Sequence, residues 1–345
     1  MFSHAKGLRV DDKRVIAVRP HGVAAAARFC ALWNPIATRR RGVVSCPGRR
    51  LYDGSLKSAS NGSPASVFVQ RIYLRMTLII EPGSTARHYW RDVWRYRELL
   101  YFLAWRDISV RYKQTMIGIT WALLRPAVTM AVFVSFRRLV GIESGRVPAP
   151  LLVLAAVLPW QLFSTALSES SNSLIGNSNL ISKVYFPRLI IPGAAVATAL
   201  VDFVITLLLL ALLMVWYGVT PGWQLLFFPI LVLLTLSLSM GLGLLFAALN
   251  VEYRDFRYIV PFIVQFGLFV SPIAYTTSAV PERWRTAYAL NPMAGIIDGF
   301  RWCLLRGYSP LDIRSAALSV AVTGFLLLLG TWYFRRTERG FADVI

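Results

Sequence analysis

The chain has 345 residues, 56% hydrophobic and only 16% charged, with a formal net charge of +20. Apolar runs of about 20 residues match the thickness of a bilayer and have no use in a soluble protein of this size, so the composition indicates a polytopic membrane protein. The charge does not point to nucleic acid: residues 1–75 hold fourteen Lys/Arg against three Asp/Glu, and much of the remaining +9 lies beside apolar runs, where it sets topology.

Residues 1–75 are rich in Arg, Ser, Gly and Pro and lack sustained periodicity. They read as a basic tail or as sequence upstream of a natural start at Met76. Their longest apolar piece, Gly22 to Trp33, contains Arg28 and makes a poor signal-peptide core. The next segment, 76–116, is expected to contain an amphipathic helix. Within it Tyr101, Trp105, Ile108 and Tyr112 share one narrow helical face, while Arg106, Asp107, Arg111 and Lys113 avoid it. Such a helix lies in the headgroup layer, with rings in the interface and basic groups towards lipid phosphates.

Residues 117–345 are expected to form an all-α domain with six spans. They are placed at about 117–136, 150–166, 189–217, 223–249, 258–275 and 313–334. Between the second and third lies Asn179-Leu-Ile-Ser-Lys-Val-Tyr-Phe-Pro-Arg188. It reads as a short helix from Leu180 to Phe186, with Asn177 to Asn179 as candidate caps and Pro187 ending it. Tyr185 and Phe186 then stand at a membrane surface beside Lys183 and Arg188, shaped to receive work from a partner.

Arg and Lys near the ends of the spans put both termini on the inner side. Arg283, Arg285, Arg301, Arg306 and Arg314 resist this pattern. Residues 281–312 are too polar to span and too apolar for a plain loop. They read as two short helices around Asn291-Pro292 that dip back at the outer face, with Trp284, Phe300 and Trp302 among their ring residues.

The chain has no GxxxxGK[ST] phosphate loop, no HExxH and no GxSxG, so no catalytic or nucleotide-binding motif of its own. Cys30, Cys46 and Cys303 form no CxxC, and three scattered histidines do not make a metal site. Asp202, in the third span, costs roughly 2.5–3.5 kcal/mol at a helix centre; it reads as a hydrogen-bonder between helices or as polar lining for a pathway. Phe262, Phe266 and Phe269 share a face of the fifth span. Core packing and a surface for sliding sugar rings are both open to them.

Several motifs together resemble the type-2 ABC-transporter permeases, within them the branch that exports O-antigen and capsular polysaccharides. They are Trp121-Ala-Leu-Leu-Arg-Pro126, Leu158-Pro-Trp160, the Asn179 to Arg188 stretch, Tyr253-Arg-Asp-Phe256, Ser271-Pro-Ile-Ala-Tyr275, Leu290-Asn-Pro-Met293 and Phe341-Ala-Asp-Val-Ile345. The resemblance runs from about residue 76 to 345.

It implies a homodimer in the bacterial inner membrane, joined by two copies of a separate ATPase that holds the ATP and Mg. The cargo it implies is a polysaccharide on a polyprenyl diphosphate. Leu180 to Phe186 corresponds to the coupling helix, Tyr101 to Tyr112 to the interface helix and Pro281 to Arg306 to the gate helices. Phe262, Phe266 and Phe269 become candidates for sugar contact. Arg87, Arg91 and Arg95 are candidates for the diphosphate by charge and position. The competing reading is an integral-membrane glycosyltransferase or polysaccharide ligase. It would need a catalytic cluster in an outer segment, where Glu282, Asp298 and Asp312 are widely spaced.

Overall fold

The computed structural model describes residues 85–113, 118–141, 147–184, 186–277, 280–307 and 311–341. The basic segment 1–75, Met76, Tyr185 and the side chain of Arg87 lie outside these. Among the described residues all regular structure is helical.

Two helices precede the bundle: α1 (Thr85–Arg95) and α2 (Arg97–Lys113). Then follow α3 (Gly118–Val140), α4 (Ala149–Gly176), the one-turn α5 (Ser178–Ile181) and α6 (Ile190–Trp216). A 3-10 turn at Trp223–Phe227 leads into α7 (Phe228–Glu252), followed by α8 (Phe256–Val270). The short pair α9 (Glu282–Ala289) and α10 (Pro292–Leu304) comes before α11 (Ile313–Thr337).

Four of these are long and apolar enough to cross a membrane: α4, α6, α7 with its leading turn, and α11. α3 carries Arg125, Arg137 and Arg138, and α8 has 15 residues, about 22 Å of helix against roughly 30 Å of hydrocarbon.

α4 is the axis of the bundle. Every residue from Leu151 to Trp160 is buried, and its apolar stretch is 78% buried against 22% for that of α11. A helix apolar all round belongs at the centre of a bundle, and α4 packs against α3, α6, α7, α8 and α10. It also runs ten residues past the expected end at Ala166. In the serine-rich turn Ser171 and Ser173 donate to the carbonyls of Ser168 and Ser170, and the Asn172 amide to that of Ser168, so these polar side chains are satisfied within the helix.

The expected break at Asn291-Pro292 is present. The Asn291 carboxamide oxygen accepts from the Met293 N–H at 3.1 Å, and Pro292 occupies the first helical position of α10. Asp312 starts α11 in the same way, accepting from the Arg314 N–H at 3.0 Å. α7 and α11 cross so closely that a Cβ on Gly330 would overlap the Gly241 carbonyl.

The apolar core has two parts. The larger surrounds α4 and takes in Phe203, Phe228 and Phe300, whose rings meet at 5.6–6.4 Å. The smaller gathers Tyr89, Leu103, Ile181, Phe186, Leu189, Phe334 and Phe341 at the α5 end of the bundle.

Candidate functional site

The Asn179 to Arg188 stretch is less helical than its sequence suggests. Only Ser178–Ile181 is α-helix, and turns follow to Val184. Asn177 stands at the cap position, but its side chain is used elsewhere. Its oxygen accepts from Arg106 at 2.8 Å, and its amide donates to the Ser173 carbonyl at 2.9 Å. With no cap, one turn is all that forms.

Phe186 corrects the expectation of an exposed aromatic pair. It is 5% exposed and sits in the smaller core with Ile181 and Leu189, so it anchors the segment. Among its described residues this segment turns Asn179, Ser182, Lys183 and Val184 outward, with Leu180 half-buried.

Arg188 is bound within the chain. Its backbone N–H donates to the Glu338 carboxylate at 3.0 Å, and its guanidinium donates to the Glu338 carbonyl and lies 5.7 Å over the Phe341 ring. Phe341 packs edge-on against Phe334 at 5.5 Å. Tyr89 of α1 joins the cluster beneath the Arg335 guanidinium, 4.8 Å from its ring. Burial first, and the Glu338 charge second, push the Tyr89 phenol far above its ordinary range; burial also pushes the Glu338 carboxyl up. The loop after α5 is thereby tied to both the first and the last helix. Sequence reasoning missed Tyr89, Glu338 and Phe341. The available signal was Glu338 as the single acid among Arg335, Arg336 and Arg339.

On α2, Tyr101 and Trp105 are exposed and stacked at 6.4 Å, while Leu103 and Ala104 face inward. Ile108 and Tyr112 are half-buried. Arg111 departs from the expected outward direction. It forms ion pairs with Glu169 of α4 and with Asp202 of α6, the latter at 2.7 Å. The Tyr112 hydroxyl donates to Asp202 as well. Asp202 is thus an interhelical partner, as its position in an apolar helix demands. Arg91 and Arg95 of α1 are exposed.

Phe262, Phe266 and Phe269 line the outside of α8 and are all more than half exposed, with Phe262 and Phe266 4.6 Å apart. They form an unpacked aromatic face. Of the expected gate residues, Trp284 is exposed and Phe300 is fully buried. Trp302 packs against Trp223 and Phe227 at 5.7–5.9 Å.

One of the five basic residues that resisted the topology rule, Arg301, has a structural role at this end, which it shares with Arg137. α8 stops at Val270, before Ser271-Pro272, and leaves backbone carbonyls without helical partners. Arg301, with no exposed surface, donates to the carbonyls of Ile273 and Tyr275 at 2.9 Å and of Leu152 at 3.2 Å. Arg137 donates to the carbonyl of Ala274 at 2.6 Å. Irregular backbone in a buried place persists only if its polar groups are satisfied, and here two guanidiniums satisfy them. Burial pushes the Arg301 pKa down to about 10, so it stays charged at neutral pH.

Residues 98–305 match the model of the ABC-2 type transporter family. The chain is 30% identical over 258 residues to the O-antigen export system permease protein RfbA of Myxococcus xanthus, covering 74% of this chain and 98% of that protein. It is 26% identical over 253 residues to an O-antigen export system permease protein RfbA of Klebsiella pneumoniae, covering 72% and 95%. It is 23% identical over 241 residues to the polysialic acid transport protein KpsM of Escherichia coli, covering 68% and 91%. With its family model spanning more than half the sequence and its apolar helices able to cross a bilayer, the chain is a multi-pass membrane protein and belongs to the ABC-2 type transporter family.

Proposed function

We propose that this chain is the membrane subunit of an ATP-driven exporter that moves a polysaccharide of O-antigen or capsule type, linked to polyprenyl diphosphate, across the bacterial inner membrane. The observation that carries this reading is the near full-length match to O-antigen export permeases. The unit is a homodimer with two copies of a separate ATPase, which binds the ATP and Mg. Residues 76–116 form the inner-face segment with its interface helix α2, and 117–345 the permease domain. α3 and α8 complete six spans, with both termini cytoplasmic.

Work enters at the loop after α5. Lys183 and its neighbours Val184 and Tyr185 meet the ATPase, while Leu180, Phe186 and Arg188 hold the loop to the body of the subunit. Exposed α2 rings support its place in the headgroup layer. The open aromatic face of Phe262, Phe266 and Phe269 suits sugar rings passing along α8, since flat apolar ring faces contact carbohydrate without fixing it. Arg87, Arg91 and Arg95 attract the diphosphate head. α9 and α10, with Trp284, Asn291, Pro292, Phe300 and Trp302, form the outer gate, where Phe300 and Trp302 hold the helix pair against the bundle.

Deleting the chain in its host tests the reading. The expected outcome is finished polymer trapped on its lipid inside the cell. Accumulation of unligated or unpolymerised precursor at the outer face would instead identify a ligase or glycosyltransferase.

A further inference from the structure

A cavity of about 530 Å³ opens between α2, α3, α4 and α6, within the range of roughly 300–1,000 Å³ common to ligand sites. Its charged lining is paired in an unequal way. On one wall Arg111 bridges Glu169 and Asp202, and these three groups together carry a formal charge of −1. Both carboxylates are partly exposed, and their oxygens have acceptor capacity left beyond the bonds from Arg111, Tyr112 and Thr198. Arg125 of α3 also lines the cavity; it is exposed, and no side-chain partner for it occurs among the described residues.

Arg125 lies about 10 Å along α3 from its first residue. A guanidinium on an apolar helix is costly in hydrocarbon unless an anion or polar headgroups offset its charge. Trp121, one turn earlier and also lining the cavity, is 60% exposed. Indole rings at span ends settle at the depth of the headgroups. The cavity therefore combines a surplus negative cluster, a guanidinium with no side-chain partner among the described residues, and an interfacial ring.

We propose that this cavity binds the head of a zwitterionic phospholipid bearing a primary ammonium, of the phosphoethanolamine type. The ammonium N–H groups donate to Glu169 and Asp202, and the phosphate oxygens accept from Arg125. A quaternary ammonium has no N–H to donate. A purely anionic head would bring its charge towards two carboxylates. Neither partner nor cargo enters the argument, so the site is testable on the chain alone.

The test is native mass spectrometry of the full-length purified chain. It is exposed to micelles holding equal amounts of phosphatidylethanolamine, phosphatidylcholine and phosphatidylglycerol with the same acyl chains. Phosphatidylethanolamine is expected to be retained at least tenfold over the other two. Retention should fall stepwise through the N-methyl and N,N-dimethyl lipids. Arg125→Gln should bring retention of phosphatidylethanolamine down to that of phosphatidylcholine without lowering Tm, because Arg125 has no side-chain partner to lose among the described residues. Asp202→Asn should do the same if it folds, and Arg125→Gln decides the matter if it does not. Equal retention of all three lipids, or a preference for phosphatidylglycerol, overturns the proposal. So does displacement of phosphatidylethanolamine by an equimolar polyprenyl diphosphate, which would assign the cavity to a cargo head.

Discussion

Arg301 carries several charge-assisted contacts at the α10 end. It serves three carbonyls in different directions and lies 3.8 Å from Asp298. A lysine keeps the charge but cannot spread its donors across the same three groups. Hydrogen bonds to a charged group contribute roughly 1.5–3 kcal/mol each, so Arg301→Lys is expected to lose about 3 kcal/mol or more and lower Tm by several degrees in detergent. An Arg301→Lys protein with the native Tm would refute this. Asp298→Asn should be milder. Burial pushes the Asp298 carboxyl up, against the pull of Thr277 and Arg301, so its charge is already held at a cost that the amide avoids. In the sequence Arg301 looked like one basic residue among five that broke a topology rule. Nothing local marks a guanidinium as a cap for carbonyls 26 and 28 residues upstream.

The segment after α5 combines an anchor with an exposed edge, and the two are separable by mutation. Phe186→Ala empties a buried site and is expected to cost roughly 3–5 kcal/mol, read as a large fall in Tm. Lys183→Ala touches no core. It should leave Tm unchanged and reduce co-purification of the ATPase a few-fold, the effect of an exposed charge pair worth about 1 kcal/mol or less. The reverse pattern, a stable Phe186→Ala and an unstable Lys183→Ala, would remove the division of roles. The composition of this stretch marked it from the sequence alone, with polar and aromatic residues between two apolar runs. That Phe186 points inward was not legible. That depends on Ile181, Leu189 and Phe334 closing around Phe186 from three separate elements. Likewise α4 runs past Ala166 through residues that a hydropathy reading scores as polar and ends, although their side chains are satisfied within the helix.

At the scale of the whole molecule the open question is how many times the chain crosses the bilayer. α8 alone is shorter than the hydrocarbon layer, but the extended stretch beyond it is held by Arg137 and Arg301. A short helix plus a satisfied non-helical segment can complete a crossing. Lys183→Cys and Arg283→Cys, made separately with Cys30 and Cys46 replaced by serine, decide the count using a membrane-impermeant maleimide. Three crossings between the two positions put them on opposite faces, and two put them on the same face. Cys303 stays silent, since burial pushes its thiol up to about 11. Labelling from one face only would remove α8 from the spans.

The contacts of Arg188 have a mechanical consequence. A loop that receives a push normally absorbs it by bending, and the far side of the protein feels little. Here the loop is fastened to α1 through the cluster around Tyr89 and to α11 through Glu338 and Phe341. Packed groups have low compressibility and transmit strain. In the proposed reading a displacement at Lys183 has little slack to take up, because α1 and the residues after α11, more than 240 positions apart in sequence, are packed into one cluster with the loop.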